Sequence, residues 1–103
     1  MTNYQKGAAY ELEFIHEWGE PRGYMGFRSA GSHTSVDVIL IDITNNPLLN
    51  RPRVVLCQCK RYKKGKEPKP AKKFKDLKIA WDWIEKWWVT RKDRGETEIK
   101  VVE

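Results

Sequence analysis

The first repeating pattern of apolar and polar positions lies near the N-terminus. Apolar side chains recur there at intervals of three and four residues, the period of one face of an α-helix. The pattern predicts a helix over residues 3–18, with Asn3 as its N-cap and Gly19, closely followed by Pro21, as its end. The stripe consists of Ala8, Glu11, Leu12, Ile15 and Trp18. One position of an otherwise apolar stripe is therefore a carboxylate.

Three segments rich in β-branched or aromatic residues follow, and each predicts a strand. They cover residues 23–29, 36–43 and 53–61. The loop between the last two, residues 44–52, is rich in Asn and Pro, which favour turns. Because these two strands are consecutive, we expect them to pair as an antiparallel hairpin.

A second helical pattern predicts a helix over residues 71–91, and residues 97–102 predict a final strand. The helical stripe is Phe74, Leu77, Trp81, Ile84 and Trp88, joined by Ala80 and Trp87. The predicted order is α-β-β-β-α-β in a single α/β domain, residues 1–103. Four tryptophans within eight residues exceed what one helix face buries in so small a domain. The surplus indicates a homodimer interface, with stacking on bases as the alternative. The candidate interface residues are Trp83, Trp87 and Trp88.

The charge is unevenly distributed along the chain. Its 103 residues include 20 Lys or Arg and 14 Asp or Glu, a net charge of +6. Residues 1–50 carry a net charge of −3, and residues 51–103 one of +9. Residues 60–78 hold ten Lys or Arg against two acidic residues. This segment favours contact with a polyanion, most often nucleic acid, over a merely solvated face.

Several classes of protein are excluded. The chain is 40% hydrophobic with five tryptophans, enough for one core and too apolar for a disordered chain. No apolar run reaches the ~18–20 residues of a membrane span. The first residues do not resemble a signal peptide, and two cysteines make no disulfide framework. We therefore expect an intracellular protein that does not bind membranes.

Polar side chains interrupt the predicted hairpin at one end. Asp37 lies early in one strand, and Gln58 and Lys60 lie late in the other. Strand residues i and i+2 share a face, so Gln58 and Lys60 emerge together while Cys57 and Cys59 face the opposite side. Antiparallel pairing lets the aspartate approach both of the polar residues.

Glu11 joins this group if the first helix packs its stripe on the sheet. Carboxylate and amide oxygens suit Mg²⁺ or Mn²⁺. A lysine beside them can orient a water or stabilise charge on a phosphate. Next to a basic segment, the set is typical of a metal-dependent phosphodiesterase.

Motifs along the first part of the chain add a resemblance. Asp37 followed by the Gln-Cys-Lys of residues 58–60 resembles the core of the PD-(D/E)XK nuclease superfamily. Residues 6–11, Lys-Gly-Ala-Ala-Tyr-Glu, resemble the opening of archaeal-type Holliday junction resolvases. Residues 28–32, Arg-Ser-Ala-Gly-Ser, resemble the loop ahead of the metal-binding aspartate of that family.

This resemblance implies a restriction-endonuclease-like α/β fold, with a central mixed β-sheet flanked by helices. It implies Mg²⁺ or Mn²⁺ as the cofactor. The implied metal ligands are Glu11, Asp37, Gln58 and the carbonyl of Cys59, and the implied catalytic lysine is Lys60.

The resemblance also implies the substrate. The family works as a homodimer that nicks two opposed strands of a four-way DNA junction in recombination and repair. Ser32 matches a loop serine used near the cleaved strand, and Arg28 matches a basic residue near it. The residues expected to contact DNA are Lys6, Arg28, Ser32, His33, Arg61, Lys63, Lys64, Lys66, Lys69, Lys72 and Lys73. So compact a nuclease would suit a phage, a virus or an archaeon.

The chain departs from the resolvases at Gln58, where they carry glutamate. Glutamine there resembles the Mrr-type restriction nucleases of the same superfamily. The amide oxygen can still bind Mg²⁺, but the ligand set loses one negative charge. Two alternatives therefore stay open: an Mrr-like nuclease of duplex DNA, and a junction-binding module of the same fold with weakened catalysis.

Some of these residues also have simpler interpretations. Glu11 is also explained by a position on the helix surface or by an ion pair with Lys6 or Arg28, and Asp37 by a turn or a strand end. The two cysteines fit buried packing better than a zinc site, because only two histidines remain to complete four ligands. A serine–histidine nucleophile pair at Ser32 and His33 lacks a recognisable orienting acid.

Overall fold

A five-stranded sheet forms the centre of the computed structural model, which describes residues 3–29 and 35–103, and residues 3–5 by their backbone alone. Neighbouring strands follow chain order and pair antiparallel, except that β3 and β4 are parallel. The strands are β1 (Tyr24–Arg28), β2 (Val38–Asp42), β3 (Val54–Tyr62), β4 (Ile84–Lys92) and β5 (Thr97–Val102). The α/β class, the mixed sheet and the antiparallel β2–β3 hairpin are confirmed, and each predicted strand is found within two residues of its expected bounds.

The predicted N-terminal helix is also found, and it extends somewhat further. Helix α1 (Asn3–Glu13) continues into a π-helix (Phe14–Gly19) and a 3₁₀ turn (Glu20–Arg22). Gly23 ends it in the left-handed region with φ of 85°, where a Cβ would clash with Cγ2 of Thr44. Within the described part of the chain, no helix is long and apolar enough to cross a membrane.

The buried face of this helix differs from the predicted stripe. Leu12 is 43% exposed, whereas Tyr10 and Phe14 are each only 2% exposed. Aromatic rings bury more apolar area than a leucine side chain, so they turn towards the sheet. Phe14 stacks on Trp18 with ring centroids 5.4 Å apart, and Gly26 of β1 lets Ile15 approach the strand closely. The helix is thus rotated relative to the prediction.

The predicted helix over residues 71–91 is wrong. Only α2 (Lys72–Asp76) is helical there, and β4 occupies the second half of the range. Trp87 and Trp88 point to opposite faces of β4, and both are buried. A central strand covered on both faces has no alternation of apolar and polar residues, so its spacing can imitate a helical stripe. The observed element order therefore contains one strand more than predicted.

Different elements cover the two faces of the sheet. On one face the N-terminal helix packs over β1 to β4 in the main core. On the other, the crossover from β3 to β4 places Phe74 against the sheet. Nζ of the buried Lys86 donates hydrogen bonds to the carbonyls of Phe74 (2.9 Å) and Lys75 (2.8 Å), and Nε1 of Trp88 donates one to the carbonyl of Pro68 (3.2 Å). These bonds fix the crossover segment to the sheet.

Candidate functional site

Asp37 is anchored to the neighbouring strands through both its backbone and its side chain. Its N–H donates to the carbonyl of Cys57 (2.8 Å), and its carbonyl accepts from the N–H of Ser29 (2.9 Å). Its carboxylate oxygen Oδ2 accepts a hydrogen bond from the N–H of Cys59 (2.9 Å). The half-buried carboxylate is therefore held rigidly beside the second half of β3.

Glu11 projects from α1 towards the same place. Burial raises the pKa of Glu11, and the nearby charge of Asp37 raises it further. The guanidinium of Arg28 opposes this rise, with its Nε 3.5 Å from Oε1 of Glu11. The helix and the hairpin thus bring two carboxylates close enough for their charges to repel.

The pKa of Asp37 is likewise raised by burial. Its hydrogen bond from Cys59 and the positive charges of Lys60 and Arg28 act in the opposite direction. Two half-buried carboxylates with raised pKa values are poorly compensated anions. Such a pair is more typical of a binding or catalytic site than of a structural ion pair.

Gln58 lies on β3 between Cys57 and Cys59, whose backbone groups bond to Asp37, but its side-chain oxygen is already engaged. Oε1 accepts a hydrogen bond from the N–H of Ala71 (2.9 Å), the residue that precedes α2. An amide oxygen has two lone pairs, so one acceptor position remains. In this arrangement Gln58 attaches the crossover segment to β3, a role that the sequence did not indicate.

The donor set fits a hard divalent cation. Among the described residues, no group of three or more His, Cys, Asp or Glu side chains could hold a metal. The candidate ligands are instead the carboxylates of Glu11 and Asp37, supplemented by the Gln58 oxygen and the Cys59 carbonyl. Mg²⁺ is usually bound in proteins through one or two carboxylates and keeps several waters, so two carboxylates are a sufficient anchor.

The cysteines are placed as the packing interpretation predicts. Cys57 lies in the core, and Cys59 packs against it. Burial raises the pKa of both thiols far above the ordinary value, with smaller contributions from the nearby carboxylate of Asp37. Thiols held in the protonated form are poor metal ligands.

All ten Lys and Arg residues of the basic segment, residues 60–78, are exposed. Its Glu67 accepts a hydrogen bond from Oγ1 of Thr90 (2.6 Å) and pairs with Lys100, which holds the segment against the sheet. Arg61 pairs with Asp93 at 2.8 Å. The basic segment begins with Lys60, near the end of β3, and the positive charge of Lys60 acts on the carboxylate of Asp37. The positive charge therefore begins beside the carboxylate pair.

The remaining predicted site residues have different positions. Lys6 is exposed on α1, whereas Arg28 is half-buried against Glu11 instead of lying free. Ser32 and His33 lie outside the described residues. Trp87 and Trp88 are 8% and 5% exposed and therefore offer no surface to a second subunit, contrary to the prediction. Trp83 is 46% exposed and stacks on Trp81 with ring centroids 5.3 Å apart.

Comparisons of the chain with protein-family models, with curated proteins and with solved structures gave no match.

Neutralising the start of the basic segment tests the predicted contact of this segment with DNA. We expect the triple variant Lys63→Gln, Lys64→Gln, Lys66→Gln to weaken binding to any DNA sequence. The plot of the logarithm of the DNA-binding constant against the logarithm of the salt concentration should become less steep. The magnitude of its slope should decrease by about two to three, since each lost phosphate contact contributes ~0.9. The measurement is fluorescence anisotropy with labelled DNA over a series of salt concentrations.

The matched control is Arg53→Gln, an exposed arginine at the other end of β3. This control should leave the slope unchanged. An unchanged slope in the triple variant would instead mean that the basic segment is only a solvated face.

Proposed function

We propose that this chain is a divalent-metal-dependent DNA endonuclease with a PD-(D/E)XK fold that acts on four-way junctions. The observation that carries the proposal is the carboxylate pair of Glu11 and Asp37. Both side chains are half-buried, both have raised pKa values, and the exposed basic segment begins beside them. A charged site of this kind beside a polycationic surface suits phosphodiester hydrolysis.

The α/β fold with a mixed sheet is compatible with this superfamily, and so is the position of the site residues. One carboxylate comes from the first helix, the second precedes β2, and the lysine follows on β3. These are the positions that the resemblance implies for the ligands and the catalytic lysine. The strand that was not predicted, β4, pairs with the side of β3 away from β2 and leaves this arrangement intact.

The proposed chemistry assigns a task to each residue. A bound Mg²⁺ or Mn²⁺ would supply Lewis acidity at the phosphate and lower the pKa of a water. Glu11 and Asp37 would hold that ion. Lys60 lies close enough to Asp37 to lower its pKa, and its ammonium would orient the water or stabilise charge on the phosphate. The basic segment would hold the DNA backbone on either side of the cut.

Action on a junction requires two such sites, which we propose a homodimer provides. The two-fold symmetry of a dimer matches that of a four-way junction and gives paired nicks. Of the predicted interface residues, only Trp83 remains available for this contact, since the other two tryptophans are buried.

A second candidate function is supported by Gln58. Because its oxygen accepts the Ala71 N–H, Gln58 contributes less to metal binding than a free ligand would. A weakly loaded site is expected in a junction-binding module with reduced catalysis. Glutamine at this place is also the feature shared with Mrr-type nucleases, which cut duplex DNA.

A nicking assay distinguishes these functions. The protein is incubated with a labelled four-way junction and with a matched linear duplex, in Mg²⁺, Mn²⁺ or EDTA. We expect symmetric nicks in the junction that require the metal. Cutting of both substrates would favour the Mrr-like nuclease, and tight metal-independent binding without cutting would favour the binding module.

The same assay on Gln58→Glu measures how much the amide weakens metal binding relative to a carboxylate. A carboxylate in this place still accepts the Ala71 N–H and adds a negative charge to the ligand set. We expect about a tenfold lower metal concentration at half-maximal rate, which corresponds to ~1.4 kcal/mol of metal binding. An unchanged metal dependence would show that residue 58 only anchors the crossover.

A further inference from the structure

Arg28 is the last residue of β1 and lies beside the carboxylate pair. Its register partner is Val38, the residue that follows Asp37. The next residue, Ser29, donates its N–H to the carbonyl of Asp37 (2.9 Å). The side chain of Arg28 is only 21% exposed, and that of Glu11 is 15% exposed. The guanidinium is therefore enclosed with the two carboxylates instead of extending into solvent.

The contact between Arg28 and Glu11 is an ion pair without a good hydrogen bond. The 3.5 Å separation of Nε and Oε1 exceeds the usual N–H···O distance. Nε is buried and has no hydrogen-bond partner among the described residues. The contact of Nε with Glu11 is thus mainly electrostatic, so the guanidinium can leave Glu11 without breaking a short hydrogen bond.

The charge of Arg28 acts on both carboxylates. It opposes the raised pKa of Glu11 and also that of Asp37. A divalent cation held by the same two carboxylates would neutralise the same charges. A guanidinium and a dication in one small, half-buried space repel each other strongly, because screening by water is weak there.

We infer that Arg28 is a built-in counter-ion of the Glu11–Asp37 pair, which competes with the divalent cation and moves away from Glu11 when the cation binds. The inference rests on the proposed function, since it assumes that these carboxylates bind a metal. Arg28 thereby keeps metal affinity low in the free protein. Once released, its guanidinium becomes available to the nearest phosphate of bound DNA, so metal and DNA would favour each other's binding.

Titration with Mn²⁺ in the absence of DNA tests this competition. Free Mn²⁺ is followed by electron paramagnetic resonance for the wild type, Arg28→Gln and Arg28→Met. The methionine keeps an aliphatic stem, so one neutral variant remains if the other fails to fold. We expect both neutral variants to bind Mn²⁺ about tenfold more tightly than the wild type, a typical coupling between two sites. Arg28→Lys, which keeps the charge, should resemble the wild type.

Thermal unfolding gives the second readout. In EDTA, the neutral variants should unfold at a lower temperature than the wild type, because the carboxylates have lost their counter-ion. Mn²⁺ should then raise their Tm more than it raises that of the wild type. The control Arg53→Gln should change neither the affinity nor the response of Tm to the metal.

The outcomes separate this inference from the proposed function. If the wild type binds Mn²⁺ and the neutral variants bind it equally or more weakly, the competition is overturned while the metal site stands. If neither the wild type nor the variants bind Mn²⁺, the metal site itself fails, and the competition fails with it. Binding by the neutral variants alone would support both.

Discussion

Replacing Asp37 by asparagine is expected to reduce junction cleavage by about 10²- to 10⁴-fold, the range for losing several kcal/mol of metal-assisted stabilisation. Asparagine is nearly isosteric with aspartate, and its side-chain oxygen can still accept the N–H of Cys59. The variant should therefore fold normally and bind DNA with unchanged affinity in EDTA. The measurement is the initial rate of nicking at saturating Mg²⁺, beside circular dichroism and DNA binding.

Asp82→Asn is the matched control for this experiment. Asp82 is exposed in the segment before β4, so its change should leave the rate within twofold of the wild type, a margin of ~0.4 kcal/mol in the barrier. If Asp37→Asn cleaves as fast as the wild type, Asp37 does not hold the metal. A loss of both cleavage and fold would instead assign Asp37 a structural role.

The second large effect concerns Trp87, which is buried in β4. Its ring makes edge-to-face contacts with the rings of Trp18 and Tyr24, whose centroids lie 5.6 Å and 6.2 Å away. Its Nε1 donates a hydrogen bond to Oε1 of Glu85 (2.9 Å). We expect Trp87→Ala to lower the free energy of unfolding by about 3–5 kcal/mol, the usual cost of removing a buried aromatic side chain. Urea denaturation followed by circular dichroism measures it.

Trp83→Ala is the natural comparison, because Trp83 is 46% exposed and its ring contact is with Trp81, which is 60% exposed. Its loss should cost less than about 1 kcal/mol. The strand β4 buries Trp87 and leaves Trp83 exposed, whereas a helix over residues 71–91 would place these two tryptophans differently. Equal losses of unfolding free energy in the two variants would therefore contradict the strand. If Trp83 contributes to a dimer, its replacement should also lower the apparent mass in light scattering.

The hairpin and its polar end could be predicted from the sequence because their signals are local. The β-branched run after Asp37 and the alternation through Cys57 to Lys60 each indicate a strand with defined faces. Antiparallel pairing of consecutive strands then brings Asp37 towards the end of β3. The proximity of these residues follows from short-range rules, whereas their chemical roles remain proposals.

The remaining features depend on contacts between distant segments. Because β4 is buried on both faces, it lacks the alternation of apolar and polar residues that marks a half-buried strand. The four-residue spacing of Ile84 and Trp88 therefore resembled one face of a helix. The bond from Ala71 to Gln58 joins residues that no local pattern relates. The pairing of Arg28 with Glu11 was one of several open interpretations, and only the packing of α1 on the hairpin selects it.

The parallel pairing of β3 with β4 has a consequence for how the chain assembles. Two parallel neighbours cannot be joined by a tight turn, so the chain must return across the sheet before β4 can pair. That return path includes the basic segment, whose like charges are brought closer together as the loop closes and therefore repel one another more strongly. Loop closure is therefore an electrostatic barrier as well as an entropic one, and it precedes the burial of Trp87 and Trp88. The surface that suits a polyanion is also the part of the chain whose folding rate should respond most strongly to added salt.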